Sequence, residues 1–221
     1  MNSTSYLVPT TSYNLCLGRQ LGSGGYEIAC ALSKRLGLKL YDKEVLLEAA
    51  KASGVVPAMF LSSDEERSGS GRGALLGQLF AGGTRLTAGP GYYAAFDSKA
   101  LFHIMSQTIQ QLAEGGGCLF VGRCAEYILR HRCDVVSVFI AADKQDRIKR
   151  IADKEQISET RAHSMINRVD KRRAAYHDFY CDKRWGQPST YDLCINTSRI
   201  GIDYAIEMIA SFVERRIKTN V

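Results

Sequence analysis

The residues best equipped for chemistry stand near the start of the chain, in Gly18-Arg19-Gln20-Leu21-Gly22-Ser23-Gly24-Gly25-Tyr26. Closely spaced glycines let backbone N–H groups converge on an anion, and a helix that begins among them adds the partial positive charge of its N-terminus. An apolar, strand-like run at residues 13–17 enters the cluster, and Ile28, Leu32 and Leu36 leave it along one helical face. This order of strand, glycine loop and helix suits a nucleotide phosphate chain, with Gly22, Ser23, Gly24, Gly25 and Tyr26 as contact residues. The standard loop of this kind ends in Gly-Lys-Ser/Thr, where the lysine reaches the β- and γ-phosphates and the hydroxyl holds Mg2+. Here those two positions carry Gly25 and Tyr26. The nearest cation is Arg19, and Ser23 is the only hydroxyl within the glycine core that can approach a metal. Arg19 or an arginine from elsewhere must therefore replace the lysine. A tight turn into a buried helix, or a dinucleotide site with Asp42 near the ribose, are the other readings of the loop alone.

A second cation follows the apolar run Cys118-Leu119-Phe120-Val121, in Gly122-Arg123-Cys124-Ala125-Glu126. In a parallel sheet Arg123 emerges at the same edge as the glycine loop, where its planar guanidinium can take a phosphate through two parallel hydrogen bonds. The plainer reading pairs it with Glu126. A third group is the dense charge after Asp143, with Arg147, Lys149, Arg150, Lys171, Arg172 and Arg173. Two helices flanking a charged connection, over residues 143–186, read as a lid whose arginines close over phosphates, or as a solvent-laced helical hairpin. Asp42 ends a short strand at residues 38–41, and a helix N-cap explains it as well as ligand contact does. Residues 55–97 are glycine-rich and carry Arg72 and Arg85, which makes them a candidate substrate-side flap with cations, or a long surface excursion.

Strands near residues 15, 40, 119, 138 and 193, separated by helical stripes such as Ile202, Ile206, Ile209 and Val213, predict an α/β fold with a five-stranded, mostly parallel sheet covered by helices on both faces. The chain of 221 residues is expected to form one domain over residues 13–221, preceded by a polar tail at 1–12. Its formal charge of +6 is concentrated in the 143–186 region, which favours a phosphate-facing lid over a nucleic-acid surface. The seven cysteines lack paired metal spacing, and several lie in apolar runs, so they read as reduced core residues of a cytoplasmic protein. No apolar stretch reaches membrane-spanning length, and no signal-peptide pattern is present.

Taken jointly, Gly18-Arg19-Gln20-Leu21-Gly22-Ser23-Gly24-Gly25, Tyr41-Asp42-Lys43-Glu44, Val121-Gly122-Arg123-Cys124-Ala125, Asp170-Lys171-Arg172-Arg173-Ala174 and Tyr191-Asp192-Leu193-Cys194-Ile195-Asn196-Thr197-Ser198 resemble the cytidylate kinase-like family of P-loop proteins. The resemblance runs in family order over residues 14–217. It implies a three-layer P-loop NTPase-like fold with a helical lid, and ATP-dependent phosphoryl transfer to a nucleoside monophosphate, CMP above others, with Mg2+. It further implies that Gly22 to Gly25 cradle the donor phosphates, that Asp42 lies near the acceptor, that Arg123 contacts its phosphate, and that Arg147, Arg150 and Arg173 belong to the lid. Cytidylate kinases proper carry the loop lysine and hydroxyl and an Asp where Cys124 stands. A protein that kept the fold and binds or senses nucleotides without turnover is therefore the alternative. Neither nucleic acid nor membrane is an expected partner, and a homo-oligomer is left open.

Overall fold

The computed structural model of the chain describes residues 13–46 and 92–219. The expected tail at 1–12 and most of the expected flap, including Arg72 and Arg85, lie outside the described residues. Five strands, β1 (Asn14–Arg19), β2 (Lys39–Tyr41), β3 (Cys118–Val121), β4 (Val135–Ala141) and β5 (Leu193–Asn196), form one sheet in the order β2-β3-β1-β4-β5. Every neighbouring pair is parallel, with Leu15 opposite both Leu119 and Val136, and Leu17 opposite both Val121 and Val138. The helices are α1 (Gly25–Leu36), α2 (Tyr92–Glu114), α3 (Ala125–Ile128), α4 (Lys144–Glu155), α5 (Glu159–Tyr180), α6 (Thr197–Ile200) and α7 (Ile202–Thr219).

Strand alternation sorts the apolar residues into two layers. Leu15, Leu17, Leu119, Val121, Val138 and Ile140 join Ile28 and Leu32 of α1 and Ile209 and Val213 of α7 in one core. Cys16, Cys118 and Phe120 point the other way, against Met105, Ile109 and Ala113 of α2 and Ala125 and Ile128 of α3. Both faces of the central strands are thus covered, which is why those runs are continuously apolar. Phe120, fully enclosed and stacked on Tyr41 with ring centroids 5.5 Å apart, contributes on the order of 2–3 kcal/mol by burial. The buried Asn14 ties the layers together: its Nδ2 donates to the Ala113 carbonyl at 3.1 Å and to Asp134 at 3.2 Å, and its Oδ1 accepts from the Cys118 amide at 3.3 Å.

Two boundaries differ from the sequence reading. α2 begins at Tyr92, six residues ahead of Ser98, so the last part of the expected flap segment is helical. α3 is a single turn, because Gly122, Arg123 and Cys124 all take left-handed φ (76°, 60° and 57°) before it and the chain must reverse into β4 soon after. α4 and α5 form a hairpin with a small core of its own, Ile148, Ile151, Ala162 and Ile166, on which Leu21 of the glycine loop also packs. Ser158 caps α5 by accepting from the Arg161 amide. Among the described residues no helix is long and apolar enough to cross a membrane.

Candidate active site

β1 delivers the chain to the glycine loop at its C-terminal edge, and the loop is held from inside. Gln20 donates its amide to the Ile140 carbonyl at 3.0 Å and accepts from the Ala142 amide through Oε1 at 3.1 Å. Ser23 is fully buried, and its hydroxyl donates to the Gln20 carbonyl at 2.9 Å. The Ser23 carbonyl in turn accepts from the Thr197 hydroxyl at 2.9 Å. α1 starts at Gly25, and its first intrahelical bond is from the Ile28 amide to the Gly24 carbonyl. The amides of Gly25, Tyr26 and Glu27 therefore precede the helical ladder, and a helix with amides so placed attracts an anion. Tyr26 is half exposed, and its hydroxyl donates to Asp42 at 3.3 Å. Asp42 also caps the helical turn at 43–46, accepting from the Val45 amide at 3.1 Å.

Three arginines brace the loop by its carbonyls. Arg147, buried at 7% exposure, reaches Asp170 at 2.5 Å and the Leu21 carbonyl at 3.3 Å. Asp170 completes the bracket by accepting from the Leu21 amide at 2.8 Å. Arg150 donates to the Gly22 carbonyl. Arg173 donates to the Arg19 carbonyl at 3.0 Å. The hairpin thus grips the loop directly, through the arginines and also through Asp170, a residue that the sequence reading had only within the run Asp170 to Ala174.

Arg19 links this loop to a second feature. A Cβ at Gly25, where the usual lysine would stand, would lie 2.5 Å from Arg19 Cβ, and a Cβ at Gly122 would overlap Arg19 Nη1. The side chain thus leaves the loop and lays its guanidinium across Gly122, into a cavity of about 660 Å3 lined by Arg19, Lys43, Arg123, Arg172 and Arg173 on one side. Phe102 and Tyr180 stack in parallel with centroids 3.8 Å apart, and with Tyr176 they form an aromatic part of the wall. Arg123 lies over the Tyr176 ring, 5.4 Å from its centroid. Burial and the nearby Arg173 and Arg123 charges pull the Arg19 guanidinium down to about 9. Burial lowers Arg173 too, against the attraction of Asp170, with Arg172 and Arg123 adding to the effect, and burial and Arg123 lower Lys43. Groups destabilised in this way by their own company gain when an anion enters.

Glu126 is not the partner of Arg123 that the plainer sequence reading expected. Its carboxylate meets His177 Nε2 at 2.9 Å, both side chains being buried. Burial pulls the imidazole down, but hydrogen bonds from Cys181 and Glu126 outweigh it and raise the group to about 10. Lys43 and Arg172 were named from the sequence only as members of longer runs, and the aromatic wall was not expected at all. Lys43 follows the strand end at Asp42, the sort of position where parallel sheets bind ligands, whereas nothing in sequence linked Phe102 to Tyr180.

Residues 14–199 match the model of the cytidylate kinase-like family. A cytidylate kinase from Staphylothermus marinus is 26% identical over 126 residues, covering 57% of this chain and 70% of that protein. The solved structure of an uncharacterized protein from Eubacterium ventriosum superposes with a TM-score of 0.68 at 28% identity, over 91% of this chain and 98% of that one. A shikimate kinase from Bacteroides thetaiotaomicron shares the fold at a TM-score of 0.51 and 11% identity, with the same coverage of 91% and 98%.

Proposed function

The chain belongs to the cytidylate kinase-like family, and from that premise we propose that it transfers the γ-phosphoryl group of Mg·ATP to a nucleoside monophosphate, with CMP the favoured acceptor. The observation that carries this reading is Arg19, whose stem packs on Gly25 of the donor loop and whose guanidinium lies with Arg123 and Arg173 in the neighbouring cavity. A cation that reaches from one compartment to the other is where a transferring phosphoryl group needs it, since this chemistry depends on positioning and charge neutralisation. In the reaction an oxygen of the acceptor phosphate attacks the γ-phosphorus, the bond from that phosphorus to the β-bridging oxygen breaks, and ADP leaves.

On this reading the amides at Gly25 and Tyr26, ahead of the helical ladder, hold the donor phosphates, Arg123 with Lys43 and Arg172 holds the acceptor phosphate, and the aromatic wall faces the base. Arg147, Arg150 and Arg173 act from the hairpin, which serves as the lid, and stiffen the loop by its carbonyls. Asp42 contributes by fixing Tyr26 and the start of the next helix. Ser23 does not fit a direct Mg2+ ligand in this arrangement, because its buried hydroxyl is committed to the Gln20 carbonyl. The metal accordingly enters as part of the Mg·ATP substrate.

The test is a coupled assay of ADP release with ATP and a panel of CMP, UMP, AMP and GMP. Acceptor-dependent release, greatest with CMP, is the expected result. Tight nucleotide binding with release no faster than ATP alone would overturn the kinase reading in favour of a non-catalytic nucleotide-binding protein.

A further inference from the structure

The cavity that the arginines line is also lined by Cys124, Glu126 and His177, side chains to which the proposed phosphoryl transfer gives no role. Glu126, His177 and Cys181 present a carboxylate, an imidazole and a thiol whose donor atoms all lie within 4.8 Å of one another. Cys124 is buried, with its thiol next to that of Cys181. We propose that Glu126, His177 and Cys181 bind a single Zn2+ ion, with the Cys124 thiol, which stands outside that group in the ion-free protein, turning in from beside Cys181 as the fourth donor. The inference stands on this cluster and not on the kinase reading.

The donor chemistry is that of a four-coordinate zinc site, which takes thiolate sulfur at about 2.3 Å and imidazole nitrogen or carboxylate oxygen at about 2.0–2.2 Å. Tetrahedral ligands at such bond lengths stand roughly 3.3–3.8 Å apart, so the spread of the three clustered donors closes with small side-chain rotations, and Cys124 needs the larger turn. His177 and Cys181 are one helical turn apart at the end of α5, where exposed carbonyl dipoles favour a cation. The second imidazole nitrogen is already oriented: His177 Nδ1 faces Asp178 Oδ1 at 3.2 Å, and that oxygen also accepts from the Trp185 amide at 2.8 Å. A carboxylate behind a metal-bound histidine fixes the ring and raises its donor strength. Binding expels the protons of the two thiols and one from the imidazole to solvent. The filled site then has two thiolates and one carboxylate against one divalent ion, and the single residual negative charge lies next to Arg123 in the chain.

Such an ion would fasten the end of α5 to the turn between β3 and α3, where Arg123 and Cys124 both hold left-handed φ. It would thereby fix Arg123 against Tyr176 of the same helix. The role is structural support for the anion wall.

The experiment uses the full chain, reduced and metal-stripped, with and without Zn2+ alone, treated with iodoacetamide for the time at which the buried Cys124 and Cys181 react in the metal-free protein, with labelling mapped by mass spectrometry. Zn2+ should protect Cys124 and Cys181 while the exposed Cys133 and Cys194 label at the same rate with and without metal. Co2+ as a spectroscopic probe should give a thiolate-to-metal absorption band that saturates at one ion per chain and is lost in Cys181→Ser and in His177→Gln. Asp178→Asn should retain the band with affinity weakened about 10- to 100-fold. Equal labelling of Cys124 and Cys181 in the two conditions overturns the proposal without recourse to any variant. So does a cobalt band that survives in a folded Cys181→Ser or His177→Gln protein. Recovery of a Cys124–Cys181 disulfide with no zinc retained, from protein purified without reductant, overturns it in favour of a redox pair.

Discussion

Replacing Arg19 with glutamine should stabilise the ligand-free protein and disable it. Arg19 remains a cation at neutral pH, but burial and the charges of Arg173 and Arg123 hold it at about 9 instead of its ordinary 12.5. At 1.36 kcal/mol per pH unit that difference is an electrostatic cost of roughly 5 kcal/mol, an upper bound. Glutamine keeps the Cβ and Cγ that meet Gly25 but gives up the end of the side chain that lies over Gly122, a loss of about 2 kcal/mol. The balance is a gain of at most about 2–3 kcal/mol, which corresponds to no more than roughly 10 °C in melting temperature for a chain of this size. Melting is measured by calorimetry in buffer free of multivalent anions, then with inorganic pyrophosphate. Pyrophosphate should raise the wild-type transition, by about 2.7 kcal/mol at 100 times its dissociation constant, and raise the variant far less. The pH dependence has a definite sign. A cation whose folded value is lowered costs its full penalty below about pH 9, and the penalty shrinks as pH rises from there toward the unfolded value. The gap between variant and wild type should therefore narrow from neutral pH to about pH 10. Acceptor-dependent ADP release should fall by about 100-fold or more. A variant that melts at or below the wild type in anion-free buffer, with an undiminished response to pyrophosphate, refutes the reasoning.

Gly122→Ala adds a methyl group where Arg19 Nη1 already lies, at φ 76°, and should cost about 1–3 kcal/mol in urea titration. Gly37→Ala, at φ 66° and ψ 27° in open space, gives the backbone contribution of a left-handed residue, and equal losses would remove the steric argument. Arg123→Lys keeps a charge but loses the planar two-pronged donor, so the acceptor KM should rise about tenfold, with kcat falling as well if the contact tightens during transfer; unchanged kinetics in a folded variant would exclude Arg123 from the site. Asp170→Asn leaves Arg147 buried without its carboxylate, which should cost about 3–5 kcal/mol. It should also speed amide exchange over residues 20–24, and unaltered exchange there would mean that the loop owes its rigidity to other contacts.

Much of the frame was legible without coordinates. Five apolar runs separated by helical stripes force parallel strands with covered faces, and all five were found within a residue or two of their expected positions. Local chemistry also marked the loop at 22–25 as a break between strand and helix. These features depend on neighbours a few residues apart, and periodicity reports such neighbours directly. The strand order does not. Only the pairing of β3 beside β1 puts Arg123 next to Arg19, and that pairing joins segments about a hundred residues apart. The same limit applies to the hairpin arginines. Arg147 and Arg150 were expected to close over phosphates, and the structure has them on the carbonyls of Leu21 and Gly22, with Arg147 also on Asp170. Charge runs say that cations are present, but the partner each one meets is settled by packing of α4 and α5 on the loop. Glu126 gives the sharpest case: its sequence neighbour Arg123 turns to Tyr176, and the carboxylate finds His177, fifty-one residues away. A long side chain reaches whichever group the tertiary fold brings within a few ångströms, and separation along the chain has no bearing on that distance.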